Sequence, residues 1–210
     1  MGNYHETRFT FDKNRLKVWK ALTEYFQQFV GNDKCVLDLG CGYGDFINLI
    51  HASKKLAIDL NPEMAQYLRP EVKFNAQSVL LPFEGIDAES LDVVFASNLF
   101  EHFDDAELIV LMGNINRVLK PGGKLMPMQP NIFYAFREYW DDYTHKKAFS
   151  HNSLRDFLLS QNYEVVQVEG RFIPFSLKSR LPKFYWLTKL YLALPFRVFA
   201  KQMFIMGVKA

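Results

Sequence analysis

The sequence predicts an α/β protein built on a doubly wound, mostly parallel sheet, and three observations predict it. Short apolar runs alternate with helical patterns, a glycine-rich turn follows the first run, and an acid closes the second. Parallel neighbours need crossover connections, and crossover helices cover both faces of the sheet they join.

Each element has its own signal. From Lys13 to about Val30, the residues Leu16, Trp19, Leu22, Tyr25, Phe26 and Phe29 recur at helical spacing. "KCVLDL" reads as a buried strand and "DFINLIH" as the helix leaving the glycine turn. "KKLAIDL" is the second strand, after which Asn61 and Pro62 supply a cap and a first-turn proline for another helix. "EVKFNA" and "LDVVFAS" are the third and fourth strands, the latter followed by a helix from about Asp104 to Lys120. "PGGKLMPMQP" holds a turn and a fifth strand, Ser150 caps a helix through Gln161, and "YEVVQVEG" and "QMFIMGVKA" are the sixth and seventh strands. Two stretches stand outside the alternation, residues 131–149 and 171–200, and both are expected as caps near the ligand edge. Topology assigns only the first to that edge. Connections of such length usually carry function or structure of their own.

At 210 residues and 49% hydrophobic content the chain is one domain with a sizeable core. The net charge of +2 gives little reason to expect nucleic-acid binding. That total hides an asymmetry, since residues 1–170 carry 17 basic against 23 acidic side chains, whereas residues 171–210 carry eight basic and no acidic ones. Cys35 and Cys41 share one strand and turn that a disulfide would strain, and they lack metal-ligand spacing. Reduced thiols, a start without a secretory or myristoylation pattern, and no long apolar run together predict a cytoplasmic protein with no resident metal.

"VLDLGCGYGDF" carries the first functional signal. Glycines at 40, 42 and 44 permit a sharp turn and a close ligand approach, but Asp45 stands where a dinucleotide fingerprint needs glycine. Asp38, two residues before the first glycine, suits a positive amino group and repels a pyrophosphate. Asp59, nineteen residues after Gly40, stands where an acid hydrogen-bonds ribose hydroxyls in doubly wound sites. A nucleoside with a cationic end and no phosphates satisfies both carboxylates, and S-adenosylmethionine is such a ligand. Taken singly, each acid could equally cap a local turn.

With "LAIDLNPEM", "LDVVFASNLFEHF" and "RVLKPGGKLMPMQPN", this stretch resembles the class I S-adenosylmethionine-dependent methyltransferases over Val36 to Asn131. The resemblance implies a Rossmann-like seven-stranded sheet whose last strand is antiparallel, with helical cap insertions. It implies that Asp38, Gly40 and Gly42 hold the methionine moiety and Asp59 the ribose, with Leu60 and Met64 against the adenine. Gln77 and Ser78 stand where relatives often carry an adenine-binding Asp, and Asn98 completes the expected cofactor set. In this family the N-terminal segment, here residues 1–33, often folds over the cofactor as a lid.

Methyl transfer to a hydroxyl also needs a proton acceptor, and His is the usual choice. His145, in the cap segment, and His102, after the fourth strand, lie where topology expects the acceptor; His5 is a weaker third. His102 could instead orient the loop or line the pocket, and His145 could instead bind the acceptor or hydrogen-bond a neighbour. Tyr134, Tyr139, Trp140 and Tyr143 form an aromatic wall beside His145 or simply pack the cap. No Pro-Pro motif follows the fourth strand, no cysteine lies on that loop, and Glu101 has no second Glu beside it. Against the family's subtypes these absences disfavour base, C5-cytosine and arginine methylation, leaving small-molecule, sugar or lipid-linked acceptors.

The segment from Phe172 to Phe204 holds nine aromatics among basic residues. Too short and Pro-broken to span a bilayer, residues 171–200 either lie on an anionic membrane surface at the inner face or close the acceptor pocket. A nonenzymatic, membrane-associated module that binds the cofactor is the alternative function.

Overall fold

The computed structural model describes residues 12, 14–174 and 184–210. His5 and the 175–183 part of the expected tail cap lie outside them. Among the described residues seven strands form one sheet in the order β3-β2-β1-β4-β5-β7-β6. The strands are β1 (Cys35–Leu39), β2 (Lys54–Asp59), β3 (Val72–Ala76), β4 (Leu91–Ser97), β5 (Leu119–Pro130), β6 (Tyr163–Glu169) and β7 (Gln202–Lys209). β1 to β5 pair in parallel, while β7 inserts antiparallel between β5 and β6. Strand order reverses between β1 and β4, so the crevice beyond their carboxyl ends is the topological switch point at which such sheets bind ligands.

Alternation along the strands divides two cores. Leu37, Leu39, Leu56 and Ile58 face a layer with α2 (Asp105–Val118) and α4 (His151–Ser160), through Leu108, Leu111, Ile115, Leu154 and Leu158. Val36, Ala57, Val93 and Phe95 face the other way, toward α1 (Arg15–Val30). There Phe26 is fully buried, with ring centroids 5.3 Å from Phe95, 5.5 Å from Phe172 and 5.0 Å from Phe204. Thus residues 15–30 of the expected lid form a core layer, and α1 reaches the glycine turn through Arg15, ion-paired to Asp45 at 2.6 Å.

Local caps follow the sequence signals. Asp104 and Glu107 form a reciprocal capping box at the start of α2, and Ser150 and Ser153 do the same for α4. Asn61 accepts from the Glu63 amide, but the element it opens, Pro62–Tyr67, is a 3₁₀ helix. The helix expected from "DFINLIH" is replaced by consecutive turns through residues 42–49, with helix-type bonds from Asn48 to Gly44 and from Ile50 to Phe46. Gly42 and Gly44 have φ of +49° and +69°, which right-handed winding does not accept, and this accounts for the interruption. A short α3 (Ile132–Ala135) and a 3₁₀ turn at Tyr139–Asp141 occupy the 131–149 segment, and α5 (Tyr185–Ala193) lies in the tail.

Truncating Phe26 removes the shared centre of the second core. Phe26→Ala is expected to lower unfolding free energy by about 3–5 kcal/mol in urea titrations, the range for a fully buried aromatic; a loss under ~1 kcal/mol would contradict this packing.

Candidate functional site

The site begins at the end of β2. The Asp59 carboxylate accepts from the Gly42 amide through Oδ2 at 2.8 Å and from the Asn61 amide through Oδ1 at 2.9 Å. Gly40 and Cys41 donate to the Ile58 carbonyl at 2.8 and 3.1 Å. The glycine turn is therefore fastened to the neighbouring strand at three amides. Gly40 has φ of +64°, and a Cβ there would meet Leu99 Cδ1 at 2.9 Å, so only glycine lets the turn and the loop after β4 close together.

Charge in this turn is one-sided. Asp38, Asp45 and Asp59 are all buried, and Arg15 is paired with Asp45. Burial raises the Asp38 carboxyl well above the usual carboxylate range; a backbone bond from Ile47 opposes this, and Asp45 and Asp59 raise it further. Burial likewise raises the Cys41 thiol, with Asp38 and Asp59 adding to the effect. A cationic group entering here meets three buried acidic side chains, one of them already paired with Arg15. A carboxylate oxygen also has more than one acceptor direction, so Asp59 can hold the turn and still receive hydroxyls.

The remaining residues of the expected cofactor set are distributed unevenly. Leu60 is 75% exposed, so its apolar surface is open next to Asp59 in the chain, whereas Met64 is buried. Gln77 is tied elsewhere, its Oε1 accepting from the Glu84 amide at 3.2 Å and its Nε2 donating to the Pro82 carbonyl at 3.1 Å. Ser78 Oγ accepts from the Leu80 amide at 3.2 Å. Asn98, at φ +50°, donates to Ser97 Oγ and accepts from Gln202 of β7 at 2.9 Å. The bonds of these three side chains therefore serve local turns and the β4–β7 junction.

Beyond β4 the structure brings Glu101, His102 and His145 together, with one ligand-type atom of each within 4.8 Å of the others. The two imidazoles meet edge to face at 5.0 Å. His145 Nδ1 lies 2.6 Å from the Tyr139 carbonyl, which can only accept, so Nδ1 carries the hydrogen. Thr144 Oγ1 donates to Asp142 at 2.6 Å and lies 3.0 Å from His102 Nδ1, which makes that nitrogen a donor too. When either ring is neutral, its lone pair is consequently on Nε2. His102 is held below the ordinary histidine range by burial first and by His145 second. Glu101 is fully buried, neither carboxylate oxygen has a hydrogen-bond partner, and burial pushes its carboxyl up to about 8.

The cap is stapled to this cluster through the backbone. Lys146 and Lys147 amides both donate to the Glu101 carbonyl, at 2.8 and 3.1 Å, while their side chains turn away to Glu107 and Asp105 in α2. Of the expected aromatic wall, Tyr139 is buried and donates to the Lys147 carbonyl, whereas Trp140 and Tyr143 face outward. Tyr134 stacks on His151 and lies under Arg171. Sequence reasoning did not single out Gln129, buried at the end of β5 with neither amide atom hydrogen-bonded. A polar residue ending an otherwise apolar strand was its available signal.

The tail helix α5 docks on α1, where Tyr185 and Lys189 both bond Glu24. Trp186 is 74% and Phe196 84% exposed beyond it. No helix among the described residues is long and apolar enough to cross a membrane.

A family model described as a methyltransferase domain matches residues 11–168. Phosphoethanolamine N-methyltransferase 1 of Triticum aestivum is 32% identical over 101 residues, covering 44% of this chain and 20% of that enzyme. Matches of this kind take in 20% to 42% of the length of the curated relatives, well short of two thirds. A SAM-dependent methyltransferase from Archaeoglobus fulgidus superposes with a TM-score of 0.69 at 18% identity, covering 98% of this chain and 97% of its own. One from Mesorhizobium loti gives 0.66 at 16% identity, covering 90% and 98%. At these identities the likeness is one of fold.

The two bonds at Asp59 give a stability prediction. Asp59→Ala is expected to cost about 1.5–3 kcal/mol in chemical denaturation, the range for a hydrogen bond to a charged group. Hydrogen-exchange protection should fall at the Gly42 and Asn61 amides and remain at β7.

Proposed function

Because the chain belongs to the methyltransferase-domain family, we propose that it binds S-adenosylmethionine in the crevice beyond β1 and β2 and methylates a hydroxyl of a small-molecule, carbohydrate or lipid-linked acceptor. The residues present fit the cofactor. Asp38 would take its amino group and Asp59 its ribose, with backbone approach at Gly40 and Gly42 and the adenine between Leu60 and Met64. The tight approach at Gly40 and the three buried acids of the turn, with one cation among them, support this assignment. Gln77, Ser78 and Asn98 would contribute through backbone or by changing partners, since their side chains are bonded elsewhere. When bound, the cofactor supplies a methyl group on a sulfonium that leaves readily in a direct displacement.

The observation that carries the hydroxyl reading is the His102–His145 pair. A hydroxyl, unlike a neutral amine, needs its proton removed as it attacks, and each neutral ring offers a lone pair at Nε2. Tyr139 and Thr144 hold the two rings in that tautomer, and Glu101 behind them can stabilise an imidazolium once a proton arrives. His145 is the first choice as base because its ring is fixed by a single strong carbonyl contact. An amine acceptor is the second reading, favoured by the name of the wheat relative over its 101 matched residues. The outward aromatics of the tail and its uniformly basic charge support a lipid-linked acceptor approached from a membrane surface.

Two measurements test the proposal. Isothermal titration should detect S-adenosylmethionine binding, and Asp38→Ala should weaken it about 10- to 150-fold, equivalent to the ~1.5–3 kcal/mol of a charge-assisted bond; no heat from the wild type at millimolar cofactor would end the proposal. With radiolabelled cofactor, incorporation into a lipid extract is expected to exceed that into a soluble extract. His145→Ala should lower turnover about 10²- to 10⁴-fold while cofactor affinity changes little; undiminished turnover would remove His145 as base.

A further inference from the structure

We infer that Glu101, His102 and His145 form a binding site for one divalent first-row transition-metal ion. Their ligand-type atoms lie within 4.8 Å of one another. Donors at bonds of ~2.0–2.1 Å about a tetrahedral ion stand ~3.3 Å apart, so closure asks at most about 1.5 Å of side-chain adjustment. Two imidazoles and one carboxylate are the ligand set of open metal sites, in which the remaining positions take water or substrate.

Three features of the surroundings support binding of an ion over mere packing. First, the tautomers are already those of metal ligands. A carbonyl or hydroxyl holds each Nδ1–H, which is how ligating histidines are usually oriented, and Nε2 keeps the lone pair. Second, Glu101 is completely buried with both oxygens lacking partners, a costly arrangement that a bound cation would relieve. Third, the local lysines are diverted. Lys146 and Lys147 donate their amides to the Glu101 carbonyl but send their ammonium groups to Glu107 and Asp105, so neither neutralises the carboxylate. Those amide bonds also lock the His145 segment onto Glu101 across more than forty residues of chain.

The inference deepens the proposed function and rests on it only for the ion's role. Leu99, which abuts Gly40, is two residues before Glu101, so the cluster stands at the crevice where the methyl donor is proposed. An acceptor hydroxyl occupying an open position on the ion would lose its proton to water more readily than in solution. In the loaded protein the imidazoles would then be ligands, and the ion would replace them as the group that activates the hydroxyl.

The test uses untagged full-length protein stripped with chelator, without methyl donor or acceptor. Equilibrium dialysis against Zn²⁺ should give one ion per chain, and Mg²⁺ should bind far more weakly, as nitrogen-rich sites prefer. Affinity for Zn²⁺ should fall at least ~10-fold in Glu101→Gln and in His145→Ala, and stay unchanged in His51→Ala, which alters a histidine outside the cluster. Circular dichroism checks that each variant is folded. Independently, Co²⁺ added to wild-type protein should develop the strong visible bands of four- or five-coordinate cobalt. Substoichiometric zinc, equal affinity in all variants, or a pale six-coordinate cobalt spectrum would overturn the site, and the cobalt measurement decides even if a variant does not fold. Cofactor titration is read separately, so loss of the metal site and loss of methyl-donor binding are distinguishable.

Discussion

The carboxylate of Asp59 is the constraint on which the rest of this molecule's chemistry depends. It accepts amides from Gly42 and Asn61, and so joins the turn after β1 to the turn after β2 across the ends of two parallel strands. Neither turn could hold its shape alone. The first needs positive φ at three glycines, and the second begins with an Asn-Pro pair that commits quickly to a 3₁₀ helix. Fixing both to one side chain holds the two turns together beside the point where strand order reverses between β1 and β4.

The same choice concentrates negative charge. Asp38 and Asp45 lie in the turn that Asp59 closes, and Arg15 from α1 answers Asp45. Burying carboxyl groups is unfavourable even with partners, and the packed apolar layer of Phe26, Phe46, Phe95 and Phe204 offsets that cost. Strain and unpaired charge at one edge of a well-packed sheet are characteristic of a site kept ready for a ligand. Glu101 and Gln129 extend buried polarity to β4 and β5, where the polar atoms lack partners. Buried acids at the ends of β1 and β2 thus find partners, while Glu101 beyond β4 and Gln129 in β5 do not.

Legibility of this arrangement in the sequence was uneven, for physical reasons. Strands showed because each is a short apolar run bounded by turn residues, and the starts of α2 and α4 showed because Asp104 and Ser150 are local caps that need no tertiary information. The coil after Gly44 was misread as a helix. Its apolar spacing is helical, but the left-handed glycines and the close approach of Leu68 to Gly44 override that preference. Gln77 could be aligned but not oriented, because its amide partners at Pro82 and Glu84 are set by how a turn folds back. His102 and His145 were each visible as candidates. Their meeting with Glu101 was not, since it depends on two amide bonds from Lys146 and Lys147 that leave no mark on residue type.

The tail completes the argument from burial. α5 keeps Tyr185 and Lys189 on Glu24 of α1, so a polar contact on its inner side holds the helix while Trp186, Leu190, Phe196 and Phe199 remain outward. On the same inner side Leu192 enters the second core, so the helix combines one buried apolar anchor with polar contacts to α1. Salt bridges on a surface are weak, about 0–1 kcal/mol each, so Glu24 alone does not explain so much exposed aromatic area. α1 therefore serves both elements, because Glu24 in its middle holds the tail helix while Arg15 in its first turn answers Asp45 of the glycine turn.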